Sequence, residues 1–288
     1  MSGNLQQVWP LELIDPSGER ANRRTSSTFG QTMVIDKFLG RNGFTDLLET
    51  AAPYISCIKI GFGTAPLYPT ELLLFKINLA KQYGTTVMAG GTLLEAAVQQ
   101  NKVTAFFDAI CQLGFNGVEV SDGTIQLKEQ LRDELIREGV RRGLKVVSEY
   151  GKKLSNSLLD ATDFALRAEA DLEAGSSLVT VEARESGCGG GLFNERGECN
   201  EGILDSISHV VEDQSKIMWE APLKHQQVLL LQRFGSNVNL GNIAPADILS
   251  LETLRRGLRS DTFSFGLQQG RTQEQEDSGE ESAFLYMI

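Results

Sequence analysis

Eight short apolar runs, starting about 20 to 40 residues apart, limit what this chain can fold into more than any other feature. They read TMVID (32–36), CIKIG (57–61), TVMAG (86–90), GVEVS (117–121), KVVSE (145–149), LVTVE (178–182), KIMWE (216–220) and NVNLG (237–241). Each is too short for a helix, and most are rich in the β-branched residues that favour strands. Between them lie segments such as TELLLFKINLAKQYG (70–84), TAFFDAICQLG (104–114) and LKEQLRDELIREGVRRG (127–143), whose apolar residues return at helical spacing and which end at glycine. Strand alternating with helix requires parallel strands joined by crossovers, and a count of eight favours a closed (β/α)8 TIM barrel over an open doubly wound sheet. The runs near 32 and 237 match the strand pattern least closely, and the second is poor in β-branched residues.

The barrel is expected to occupy residues 31–266. Residues 1–30 carry no clear period, and PSGERANRRTSS (16–27) reads as an exposed arm or linker. Residues 267–288 are polar and acidic until the final AFLYMI and read as a tail.

The net charge of −11 argues against nucleic acid or an anionic membrane as the main partner, since both demand a basic face. Any anionic ligand must therefore be held by a local group of cations. The four cysteines form no C-x-x-C pair, so neither a zinc site nor a disulfide framework is expected, and a reducing cytoplasm is the expected location. No leader-like start and no apolar stretch long enough to span a bilayer is present, so the reading is of a soluble protein.

In a barrel the chemistry sits where strands end. Here the strand ends carry Asp36 and Lys37, Lys59, Glu119 with Asp122, Glu149 with Lys152 and Lys153, Glu182 with Arg184 and Glu185, Glu220, and finally Asn239 and Asn242. A purely structural ring of ion pairs explains any one of these, but not so many converging on a single mouth, where apolar residues would serve stability as well. Glycine turns at the same end, including Gly90, Gly91 and Thr92, can offer backbone N–H groups and a hydroxyl to a phosphate. Arg255, Arg256 and Arg259 follow the eighth strand, a frequent phosphate position in barrels, and are expected to bind substrate. Only His209 and His225 are present and neither closes a strand, which disfavours a catalytic triad or a histidine metal site. Lysine for proton transfer, carboxylates for a hard cation and arginine for anions remain, a set that suits enolate or phosphate chemistry.

The pieces VIDK, KIGFGT, GGTLLE, GFNGVEVSDGT, SEYGKK, EARESG, GLF, EAP, NVNLGNI and SLETLRRGLRSDTF run in order from about residue 33 to 263. Together they resemble the phosphosulfolactate synthase family, which adds sulfite to phosphoenolpyruvate. The resemblance implies a TIM barrel, Mg²⁺ dependence, a homo-oligomer, and phosphoenolpyruvate and sulfite as small anionic substrates. It places Lys153 in the site as the proton donor, with Lys152 as rival, and it implies Glu119, Asp122, Glu149 and Glu182 as the pool of Mg²⁺ ligands. Lys59, Arg184 and the later arginines would meet sulfite, carboxylate and phosphate, and GCGGG (187–191) would be a loop that closes over them. The sequence departs from the family's pattern in its two terminal extensions and in Met88 and Ala89 ahead of GGT. The family also includes a plant branch linked to heat acclimation, so a non-catalytic protective role, or another nucleophile on the same phosphoenolpyruvate site, stands as an alternative.

Overall fold

The computed structural model describes residues 9–20, 30–151, 160–211 and 213–266. Eight parallel strands close into a barrel in sequence order: β1 (Thr32–Asp36), β2 (Cys57–Ile60), β3 (Thr86–Ala89), β4 (Gly117–Val120), β5 (Lys145–Tyr150), β6 (Leu178–Val181), β7 (Ile217–Glu220) and β8 (Asn239–Ile243), with β8 pairing back to β1. All eight expected strands form. The eighth lies two residues later than its apolar run, because Asn239 is used to fasten the strand's start to its neighbours.

A short helix α1 (Leu11–Ile14) precedes the barrel, and the outer layer is α2 (Arg41–Ala51), α3 (Thr70–Gln82), α4 (Gly91–Gln99), α5 (Val103–Leu113), α6 (Glu129–Arg141), α7 (Ala161–Ala174), α8 (Glu201–Val210), α9 (Lys224–Phe234) and α10 (Ile248–Arg255). Their boundaries follow local chemistry. The Asp160 side chain accepts from the Asp163 N–H to start α7, and Gly114 at φ 87° stops α5 in the left-handed conformation that glycine adopts without steric cost. On α6 the buried positions are Arg132, Leu135, Ile136 and Gly139, which is one face at helical spacing. Outward-facing strand residues such as Ile58, Val118, Val146, Val179 and Trp219 pack under these helices in the main core, and Trp219 stacks on Phe234 of α9 at 5.4 Å.

The expected exposed arm is partly a plug. Asp15, Ser17 and Arg20 are buried, and the Arg20 guanidinium pairs with Glu252 at 2.8 Å, while the Ser17 N–H bonds to the Arg256 carbonyl. These contacts seal the end of the barrel where the strands begin. Residues 1–8, 21–29 and the tail at 267–288 lie outside the described residues. No helix among the described residues is long and apolar enough to cross a membrane, and the four cysteines carry free thiols.

Candidate active site

Because successive strand residues point to opposite faces, the barrel interior is built in layers two residues apart. The lower layer is apolar: Met33, Cys57, Met88, Val147, Leu178 and Met218 form one buried cluster. Two residues beyond Cys57, Val147 and Met218 come Lys59, Glu149 and Glu220 on the same inward face. Glu119 follows Gly117, where a Cβ would stand 2.9 Å from that of Met88. The barrel is thus filled with oil below and charge above, and the charge faces the mouth where the strands end.

Lys59 is the centre of that upper layer. Its Nζ lies 2.9 Å from Glu119, 3.0 Å from Glu220 and 3.5 Å from Glu149, all buried. Burial pulls the ammonium's pKa down, but the three carboxylates outweigh it and hold Lys59 well above the ordinary lysine range. One cation cannot compensate three anions, so the acids move the other way. Burial, with Glu149 and Glu119 adding to it, pushes the Glu220 carboxyl up to about 8 despite Lys59, and burial likewise raises Glu119. The outer oxygens are held by backbone: Gly91 N–H donates to Glu119 at 2.8 Å and Ala183 N–H to Glu220 at 2.9 Å.

Above this floor opens a cavity of about 440 Å³, lined also by Thr92, Thr124, Glu182, Arg184 and Asn242. Oxygen atoms of Glu119, Glu149 and Glu220 lie within 4.8 Å of one another, a donor set of hard oxygens suited to Mg²⁺. Five glutamates line the cavity; Glu185 is neutralised by Lys37, and the other four against Lys59 and Arg184 leave it two charges negative in the fully ionised state. A divalent cation is the simplest group that would restore neutrality, so these residues fit one.

Several residues act by holding others. Glu95, the last residue of GGTLLE, accepts from the Ser121 hydroxyl and from the N–H groups of Thr124 and Ile125 at 2.5 to 2.8 Å, which fixes the SDGT turn at the rim. Buried Arg132 pairs with Asp171 at 2.7 Å and Asp122 at 3.0 Å and donates to the Glu149 carbonyl at 2.9 Å. The glycine-rich segment is a small antiparallel excursion, with bridges from Phe193 to Gly190 and Cys199 and with Leu192 and Phe193 buried. Its backbone packs against the site: a Cβ at Gly191 would stand 2.0 Å from the Glu182 carbonyl oxygen, and one at Gly190 would touch the stem of Arg184.

Of the residues expected from sequence, the fold gathers Lys59, Glu119, Glu149, Glu182, Arg184, Gly91 and Thr92 around the cavity, with Gly90 capping α4 beside them. It does not gather the others. Asp122 is turned aside to Arg132. Asn239 stands at the opposite end, accepting from the Gln31 N–H and donating to the Ser215 and Ile217 carbonyls. Arg255 and Arg256 are there as well, because α10 runs back antiparallel to β8 and carries its last turn away from the mouth, and Arg259 is not among the residues lining the cavity. Arg255 is fully buried and bonds the Ser236 and Val238 carbonyls at 2.6 and 2.7 Å; Arg256 bonds Glu252 and the Ile14 carbonyl; Arg259 bonds the Ser250 hydroxyl at 2.5 Å. Glu185, at the same strand end as Arg184, pairs with Lys37. Met88 and Ala89 do not line the cavity. Lys152 and Lys153 lie outside the described residues. Glu220 and Asn242, named among the strand ends, do line the cavity, whereas Thr124 and Glu95 close no strand and carry no such signal in the sequence.

Residues 21–261 match the family model for (2R)-phospho-3-sulfolactate synthase (ComA). The phosphosulfolactate synthase of Methanothermobacter thermautotrophicus is 40% identical over 238 residues, 81% of this chain and 91% of that protein. Those of Methanocaldococcus jannaschii and Bacillus subtilis are 41% and 37% identical over 236 residues, covering 81% of this chain and 94% and 92% of theirs. Among solved structures, 3-hexulose-6-phosphate synthase superposes with a TM-score of 0.50 at 16% identity, over 78% of this chain and 99% of that one, a likeness of fold alone.

Proposed function

This chain belongs to the (2R)-phospho-3-sulfolactate synthase family of enzymes, and from that premise we propose that it joins sulfite to phosphoenolpyruvate in a Mg²⁺-dependent reaction. The sulfur lone pair forms a bond to C3, the C2–C3 π bond breaks, its electrons are drawn toward the carboxylate, and C2 takes a proton. The observation that carries the reading is the buried Lys59–Glu119–Glu149–Glu220 cluster under a cavity that also holds Glu182 and Arg184. A barrel has no need of such a set for stability, since buried ion groups are at best neutral beside apolar ones.

Glu119, Glu149 and Glu220, with Glu182 at the wall, would hold the cation, whose oxygen donors they resemble in kind and spacing. When bound it would stabilise negative charge on the substrate carboxylate as a Lewis acid. Lys59 is kept charged by its three neighbours, so its part is to fix the glutamates and offset their charge rather than give up a proton. Arg184, at the rim, would bind an anionic group of substrate. The proton for C2 falls to Lys153, with Lys152 as the alternative. In support, Gly151 packs its backbone on Glu182, where a Cβ would meet the Glu182 Cβ at 2.6 Å.

The test is phosphorus NMR of the protein with phosphoenolpyruvate, sulfite and Mg²⁺, with and without a chelator. A new phosphate-ester resonance that requires sulfite and disappears with chelator is the expected result. An unchanged phosphoenolpyruvate resonance under all conditions refutes the proposal.

A further inference from the structure

A second, smaller compartment of about 140 Å³ adjoins the cavity and shares Ile35, Phe62, Glu185 and Asn242 with it. Among the described residues only three non-glycine residues have a left-handed backbone, Phe62 (φ 53°), Asn101 (φ 55°) and Asn242 (φ 55°), and two of the three stand at this junction. Such conformations cost energy and persist where the surroundings impose them, which is common at ligand sites. Asparagine tolerates this one better than most residues, and here it has a second peculiarity. The residue is 6% exposed and its Oδ1 is buried with no hydrogen-bond partner. An amide left so is expensive unless a ligand completes it.

The walls around it are apolar, from Pro222, Leu223 and Pro245, and the polar groups are Asn242 and the Lys37–Glu185 ion pair, with α9 starting at Lys224 next to Leu223. Oδ1 as it stands is an acceptor that an oxyanion cannot complete, but a half turn about the last side-chain bond exchanges it for the N–H pair, and those donors with a lysine and a helix N-terminus favour an oxyanion. The compartment has room for one phosphate- or sulfite-sized group. We propose that Asn242 is a substrate-binding residue whose amide holds the oxyanion group lodged in this compartment, either the phosphate of phosphoenolpyruvate or sulfite itself. The choice between those two rests on the reading of the reaction given above; the oxyanion site does not. Seated there, one anion would lie beside the Lys59–glutamate floor and within the same opening as its reaction partner.

Two substitutions separate binding from backbone shape. Asn242→Gly keeps the left-handed backbone at lower strain and removes the amide, and Asn242→Asp keeps the shape and reverses the electrostatics. Each protein is titrated calorimetrically with inorganic phosphate and, separately, with sulfite, and KM is measured for both substrates alongside thermal unfolding. Both variants are expected to stay folded, to bind one oxyanion roughly tenfold or more weakly, with the aspartate weaker than the glycine, and to raise KM for the matching substrate alone. A raised KM for phosphoenolpyruvate puts its phosphate in the compartment; a raised KM for sulfite puts sulfite there. Binding and both KM values within about twofold of the parent in both folded variants would overturn the assignment. If the parent protein makes no product, the proposed reaction fails while the titrations still decide: weaker oxyanion binding in the variants upholds Asn242, and equal or absent binding removes it.

Discussion

Replacing Lys59 by methionine keeps the length of the side chain and removes the one ammonium that faces three buried glutamates at 2.9, 3.0 and 3.5 Å. Leaving a buried charge without its partner typically costs about 3–5 kcal/mol. For a domain of this size that is a fall in Tm of about 6 to 20 °C. The loss has a pH signature whose sign follows from the folded-state shifts. Glu119 and Glu220 are raised above their unfolded values, Glu220 to about 8, so their protonated forms favour folding at low pH and that contribution disappears as pH rises toward 8. Lys59 is itself held well above 10.5, so its charge is constant through this window. The deficit of the Lys59→Met protein should therefore be smaller near pH 5, where Glu220 carries its proton and needs no cation, and larger near pH 8. Circular dichroism melts of both proteins at the two pH values, in the presence of a chelator, measure this directly. An equal deficit at pH 5 and pH 8, or no deficit at either, would refute the idea that the ammonium and the glutamates form one electrostatic unit.

Lys153→Ala should leave the melting curve intact and lower kcat by roughly a hundredfold or more, as removal of a general acid does; near-normal turnover would remove Lys153 from that role. Arg255→Leu should lower Tm by several degrees, because three backbone carbonyls lose their buried donor, yet leave KM for phosphoenolpyruvate unchanged in the folded fraction; a raised KM would return the phosphate site to this helix. Glu95→Gln keeps the shape but cannot accept as strongly from Ser121, Thr124 and Ile125, and kcat/KM should fall about tenfold with only a modest change in Tm. Gly191→Ala forces a methyl group onto the Glu182 carbonyl and onto a left-handed backbone at φ 61°, so it should both destabilise the protein by at least about 1–2 kcal/mol and reduce activity, measured by melting and by product formation.

What the sequence determined alone was the architecture and the chemistry of the mouth. Eight apolar runs alternating with amphipathic helices leave few folds other than a closed parallel barrel, and a charge two residues after an inward apolar residue must share its face. Lys59, Glu119, Glu149, Glu182 and Glu220 were legible as charges that close their strands, and for Lys59, Glu149 and Glu220 the inward apolar residues Cys57, Val147 and Met218 two places earlier fix the face. The tertiary structure alone decided which end of the barrel a residue after a strand belongs to. Arg255, Arg256 and Arg259 looked like a phosphate site because they follow the eighth strand, but an antiparallel helix of eight residues carried Arg255 and Arg256 to the other end, where they bind carbonyls and the N-terminal plug, and Arg259 folds back onto the Ser250 hydroxyl. Asp122 was close enough in sequence to Glu119 to share its role, and Arg132 drew it away. Hydrophobic period records which face of a strand or helix is buried because burial repeats along one element. The partner of a charged side chain is set by distance between elements far apart in the chain, and only the closed barrel brings Lys59, Glu119, Glu149 and Glu220 within reach of one another.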